Sequence, residues 1–198
     1  MTMKRLILVW VMILTAQMVC VSASAAVGAT NQTGPDPVEL EDFTITVPHL
    51  CPYETWPKEA YHPVFHCLMQ LENQIPGIEI TIAWNPQHVG TAGMDDDDIG
   101  FWANWVLNVN RNDYARMGIQ DLSFELDHAE LISVDGRQAL AVSYRILYGI
   151  GDQTETCYTR VVVVDHELGT YFLSCVSLES GEDARYLDAL IRSLKWKE

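Results

Sequence analysis

Four consecutive valines, Val161 to Val164, lie inside TCYTRVVVVD and restrict the fold more than any other stretch. Neighbouring residues of a strand point to opposite faces, so an unbroken apolar run in an antiparallel strand requires cover on both sides of its sheet. The surrounding segments also have strand periodicity. FTITVP alternates at Phe43, Ile45 and Val47, IEITIAW at Ile78, Ile80 and Ile82, and LSFEL, AELISV, RQALAVSYRILY and TYFLSCVSL continue the series. The Asp135-Gly136 pair, the GIGDQ loop and the HELG turn separate them. Two segments have helical spacing instead. One runs from Ile99 to Met117 with Trp102, Trp105, Val106 and Val109 on a stripe and Gly118 as its stop; the other follows Ser180 and carries Leu187, Leu190, Ile191 and Leu194. The predicted class is therefore α+β: an antiparallel β-sheet with helices packed on both faces.

The 198 residues suit one domain with short appendages. Residues 1–25 read as a signal peptide: Lys4 and Arg5, the apolar run LILVWVMILTAQMVCV, then small residues ending in Ala23-Ser24-Ala25. The apolar run is short, contains Gln17 and meets no basic stop, so no stable membrane span is expected after cleavage. A lipoprotein anchored at Cys20 is the minority reading, because Gln17-Met18-Val19 is a poor lipobox. Residues 26–41, AVGATNQTGPDPVELE, read as a flexible leader, with a single domain over 42–198.

Removing Lys4 and Arg5 leaves ten basic residues against 27 acidic ones, a formal charge of about −17. That excess repels phosphate backbones and anionic headgroups, which argues against nucleic-acid and membrane-surface partners and favours cationic ones. The densest acidic run, GMDDDDIGFW, falls at the start of the first predicted helix. There Asp97 or Asp98 can cap free N–H groups and the remaining aspartates meet the positive end of the dipole. As a calcium loop the run fails: with Gly100 at the sixth position, Asp95 and Asp97 match, but Ile99 and Val106 occupy the fifth and twelfth. A looser site using Asp95 and Asp97 is the alternative. Ser180, with Asp183 three residues on, is the predicted cap of the second helix.

HLCPYETWPKEAYHPVFHC holds five potential soft-metal ligands, His49, Cys51, His62, His66 and Cys67. Pro63 is expected to open a helical turn, which takes His62 off the face of His66. The preferred reading is a Cys51–Cys67 disulfide, with His49, His62 and His66 as the alternative metal set. The exported chain also holds Cys157 and Cys175. If the HELG turn sets Asp165 opposite Thr170, Cys175 faces Arg160 and Cys157 faces Leu178, so this second pair is the weaker candidate disulfide.

No catalytic set is expected and no cofactor is implied. HELGT lacks the second histidine of the zinc-protease helix, and GIGDQT lacks a third glycine and precedes a strand. Asp127-His128 and Asp165-His166 are sequence neighbours on strands and so point apart.

The order FTITVP, amphipathic helix, VDGRQALAVSYR, VVVVDHELGTYFLSC and a capped helix ending in SLKW resembles the PsbP-like superfamily, including DcrB-type bacterial envelope proteins. The resemblance covers about residues 40–196. It implies a PsbP-like α/β/α sandwich and a non-enzymatic module that binds or helps assemble other proteins. Segment 49–76 departs from the pattern and reads as an insertion. Function is thus expected to be an exported binding or assembly module, periplasmic or secreted, whose partner is another protein of cationic character. An envelope inhibitor or immunity protein and a metal-binding protein are the rivals.

Overall fold

A computed structural model describes residues 37–47, 52–59, 63–70, 76–116, 122–150, 153–178 and 180–197. Ten strands and two helices follow in chain order: β1 Pro37–Glu39, β2 Phe43–Thr46, β3 Tyr53–Thr55, β4 Pro63–Gln70, β5 Pro76–Asn85, α1 Ile99–Arg116, β6 Ser123–Val134, β7 Arg137–Ile150, β8 Gln153–His166, β9 Gly169–Ser177, α2 Ala184–Ser193 and β10 Lys195–Trp196. The strands form a seven-stranded sheet of order β3-β4-β5-β9-β8-β7-β6 and a three-stranded sheet of order β1-β2-β10, with antiparallel pairing throughout. After β5, third from the β3 edge of the large sheet, α1 carries the chain to β6 at the opposite edge and packs on β6 and β7.

The valine run divides as its alternation requires. Val162 and Val164 join Ile78, Ile80, Ile82 and Leu173 in one buried cluster, with Leu187, Leu190 and Ile191 of α2 and Phe43 and Ile45 of β2. Val161 and Val163 join the other, with Ala103, Val106, Leu107 and Tyr114 of α1. The protein is thus mainly antiparallel sheet with two helices, and the small sheet shares the α2 cluster.

Two expectations change. Among the described residues, part of the expected leader is structured ahead of Asp42: Val38 and Leu40 are buried and β1 pairs with β2. Pro63 opens a strand and not a helical turn: Phe65, Cys67 and Met69 are buried with a period of two, and a proline at the first strand position costs little pairing. Within segment 49–76, β3 and β4 form one side of the large sheet.

The hairpins fall where the turn residues put them. Asp135 (φ 46°) and Gly136 (φ 84°) both have positive φ, as a two-residue turn with right-handed strand twist requires. Asp165 pairs with Thr170, and Cys175 with Arg160. No helix among the described residues is long and apolar enough to cross a membrane.

Candidate functional site

The aspartate run folds into a reciprocal cap. Asp95 Oδ1 accepts hydrogen bonds from the N–H groups of Asp97 (3.0 Å) and Asp98 (3.2 Å), while the Asp98 carboxylate accepts from the Asp95 N–H at 3.2 Å. Two residues three apart that satisfy each other's amides in this way make a capping box. The side chain that caps is therefore Asp95; Asp97 supplies an N–H, and Asp98 reaches backwards instead of into α1. The physical cause is the turn over 96–98, which aims the Asp95 carboxylate at the amides entering the helix. Ahead of α2, Ser180 caps the 3-10 turn Gly181–Asp183, accepting from the Glu182 N–H at 3.1 Å, whereas the helix proper follows Asp183, whose carboxylate makes no cap bond and accepts instead from the Ser177 hydroxyl at 2.6 Å.

Beyond this cap α1 carries a ladder of aromatic rings. Phe101 and Trp102 meet edge to face at 5.4 Å, Trp102 and Trp105 at 5.6 Å, and Trp105 reaches Phe172 of β9 at 6.4 Å. Trp102 and Trp105 are half-buried, whereas Phe101 is 68% exposed. A large aromatic held in solvent beside half-buried tryptophans and exposed carboxylates has the make-up of a protein-binding hot spot with a charged rim.

The soft-metal candidates are not brought together among the described residues, where no group of three ligating side chains occurs. His49, Cys51 and His62 lie outside the described residues. His66, on β4, has its Nε2 3.0 Å from Oε1 of the buried Glu79 on β5. Cys67 is fully buried and, unlike Cys157 and Cys175, is not a free thiol. Cys157 and Cys175 are not joined: one packs in the α1 cluster and the other in the α2 cluster, on opposite faces of the sheet. Burial pushes both thiols up to about 12, so they are inert at neutral pH.

A second site escapes sequence reasoning. The Lys58 ammonium is inside the protein, 2.6 Å from Asp42 Oδ2 and 5.1 Å over the Trp84 ring, with Glu41 3.6 Å away. Tyr171 also donates its hydroxyl to Asp42. Burial alone would raise the Asp42 carboxyl, but the Lys58 and Tyr171 hydrogen bonds outweigh it and hold the group below its ordinary value. Next to Tyr171, His166 stacks on Trp196 at 4.6 Å, and neither ring nitrogen has a hydrogen-bond partner among the described residues. Leu40, Phe43, Trp56, Pro57, Val64 and Tyr171 wall a cleft of about 280 Å³ above Lys58, between the small sheet and the β3–β4 side of the large one.

No family model matches the sequence, and no curated protein matches it. Solved structures do. The chain is similar to cyanobacterial PsbP (CyanoP) from Synechocystis sp. PCC 6803, with a TM-score of 0.59 and 16% identity over 89% of this chain and 99% of that one. Weaker likenesses are to the Ran-binding protein Mog1p of Saccharomyces cerevisiae (TM-score 0.45, 11% identity, 83% of this chain and 96% of that one) and to LpqN of Mycobacterium tuberculosis, described as involved in cell envelope biogenesis (0.42, 12%, 85% and 93%). Nothing is built on these two. The CyanoP likeness extends over almost the whole of both chains and shows a PsbP-like fold.

Proposed function

We propose that the chain is an exported, non-enzymatic binding or assembly module of the cell envelope, periplasmic or secreted, whose partner is another protein with a basic surface. We read it as a DcrB-type member of the PsbP-like superfamily, a sandwich with α1 and α2 over opposite faces of the large sheet. The observation that carries the reading is the exposed Phe101 beside Trp102 and Trp105, next to the Asp95–Asp98 cap. Burying such an aromatic in a partner contributes strongly to affinity, and a net charge of −15 for the full sequence speeds encounter with a cationic surface. The charge also favours the second reading, an inhibitor or immunity protein that neutralises a basic enzyme. A photoreactive phenylalanine analogue at Phe101, in the full chain expressed in its own host, tests the proposal against the same analogue at the exposed Arg192 of α2. One defined adduct with a basic envelope protein at position 101, absent at position 192, is expected. The same adducts at both positions, or none at Phe101, would overturn it. An adduct with an enzyme that the chain then inhibits moves the conclusion to the second reading.

A further inference from the structure

The cleft above Lys58 lies apart from the α1 face and differs from it in chemistry. Its two ammonium groups and the Tyr171 hydroxyl already have partners. Lys58 Nζ donates to Asp42, Tyr171 donates to the same carboxylate, and Lys197 Nζ, at the Glu39 end, donates to the Leu40 carbonyl at 2.6 Å and pairs with Glu39 at 2.8 Å. What remains open is acceptor capacity, since a carboxylate offers about four lone-pair sites. Glu39 and Glu41 are both exposed on the rim, and Glu41 stands 3.6 Å from Lys58, beyond a good hydrogen bond. Three carboxylates, Glu39, Glu41 and Asp42, face two ammonium groups, Lys58 and Lys197, which leaves one negative charge over. Apolar side chains line the rest: Leu40, Phe43 and Val64 are buried, with Trp56 and Pro57 opposite. The protein already shows what the local chemistry accepts, because Lys58 is itself an ammonium held between a carboxylate and an indole face.

We propose that this cleft binds a small organic cation, an ammonium carried on an apolar body, with the body against Trp56, Phe43 and Val64 and the ammonium at Glu41 and Glu39. A volume of about 280 Å³ suits a ligand the size of an arylalkylamine, at the small end of ligand sites. A neutral ligand of the same shape can donate at most a hydroxyl to the rim and gains less than an ammonium, and an anionic one is repelled.

The test uses phenethylamine, protonated at pH 7, with 2-phenylethanol as its neutral counterpart, each titrated into the full mature protein by calorimetry and by amide chemical shifts. Saturable binding of the amine is expected, with shifts centred on Thr55, Trp56 and Leu40, and an affinity about two- to fivefold above that of the alcohol, the ratio expected of one solvent-exposed charge pair. Glu41→Gln removes a charge from an exposed side chain and should leave the fold intact while weakening the amine several-fold, with the alcohol unaffected. Trp56→Ala should abolish both. Phe101→Ala, on the α1 face, should change neither, so failure here and failure of the protein-binding reading are told apart. Equal affinity for amine and alcohol, an undiminished affinity for the amine in Glu41→Gln, or shifts confined to α1 would each overturn the proposal.

Discussion

Asp95 shows how little separates a charge that builds structure from one that awaits a ligand. Four aspartates in a row look equivalent in the sequence, and charge alone nominates any of them as a cap or a calcium ligand. The backbone decides: with 96–98 in a turn, only the first carboxylate lies over the amides of the third and fourth aspartates. Asp95→Ala should therefore cost about 0.5–2 kcal/mol, the usual loss for a side-chain cap. For a domain of this size that lowers the melting temperature by about 1–8 °C. Asp97→Ala, which removes no capping oxygen, should change it by less than a degree or so. Thermal melts of both variants with chelator and with millimolar calcium check the assignment. If calcium raises the wild-type midpoint by several degrees and fails to do so for Asp95→Ala, the run is a cation site, because a ligand that binds only the folded chain stabilises it by mass action.

At the scale of elements, the strands from β6 to β9 are legible in the sequence and the small sheet is not. Alternation and turn chemistry are local, so Asp135-Gly136 and HELG fix hairpins and register from a few residues. Pairing of β2 with β1 on one side and β10 on the other joins residues near 40 to residues near 195, and nothing in Lys195-Trp196 announces a strand. The β4 segment is obscured differently: its histidine and cysteine suggest ligands, and Pro63 suggests a helix start, while its real signal is the buried period of two at Phe65, Cys67 and Met69. The C-terminal strand is held by side chains from elsewhere. The Asp135 carboxylate accepts from the Trp196 N–H at 3.0 Å and from Lys195 Nζ at 2.7 Å, Trp196 Nε1 donates to the Val134 carbonyl, and the Trp196 ring stacks on His166. That stack makes the element sensitive to pH. Burial holds the His166 imidazole below its ordinary value, Arg137 and Lys58 act in the same direction, and Asp42 and Glu167 act against them. The unfolded chain therefore takes up the proton first. Stability from this group is complete above about pH 6.5 and declines as pH falls through that value towards the folded-state pKa. His166→Phe should keep the stack and remove this slope: melts between pH 7.5 and 5.5 should show a smaller fall than in the wild type. An unchanged slope would mean that His166 is not the group responsible.

For the whole molecule, the sequence carries the class of fold because hydrophobic period and turn residues are distributed along the chain, whereas the surroundings of the buried Lys58 are assembled from Asp42, Trp84 and Tyr171, which only the meeting of two sheets brings together. No local pattern marks Lys58 as the buried one. The cysteines show the same division between local and global order. Cys157 and Cys175 are close in sequence and strand order yet lie on opposite faces, while Cys67 sits at the other side of the sheet, on β4. We expect Cys67 to be joined to Cys51, closing a loop for which chain-entropy estimates give about 3 kcal/mol. In a domain of this size that corresponds to a fall of about 6–12 °C in melting temperature on reduction. Thiol counting on a chain that starts at Ala26, and so lacks Cys20, is the sharper measurement. Alkylation of the native protein should be negligible, because the two free thiols are buried and pushed up to about 12. Denaturant without reductant should expose those two, and denaturant with reductant should release two more at Cys51 and Cys67. Four thiols in denaturant alone would remove the disulfide from the account. Cys51→Ser should lower the melting temperature as much as reduction does; if reduction costs nothing while the link is present by mass, the loop it closes is already ordered by β3 and β4.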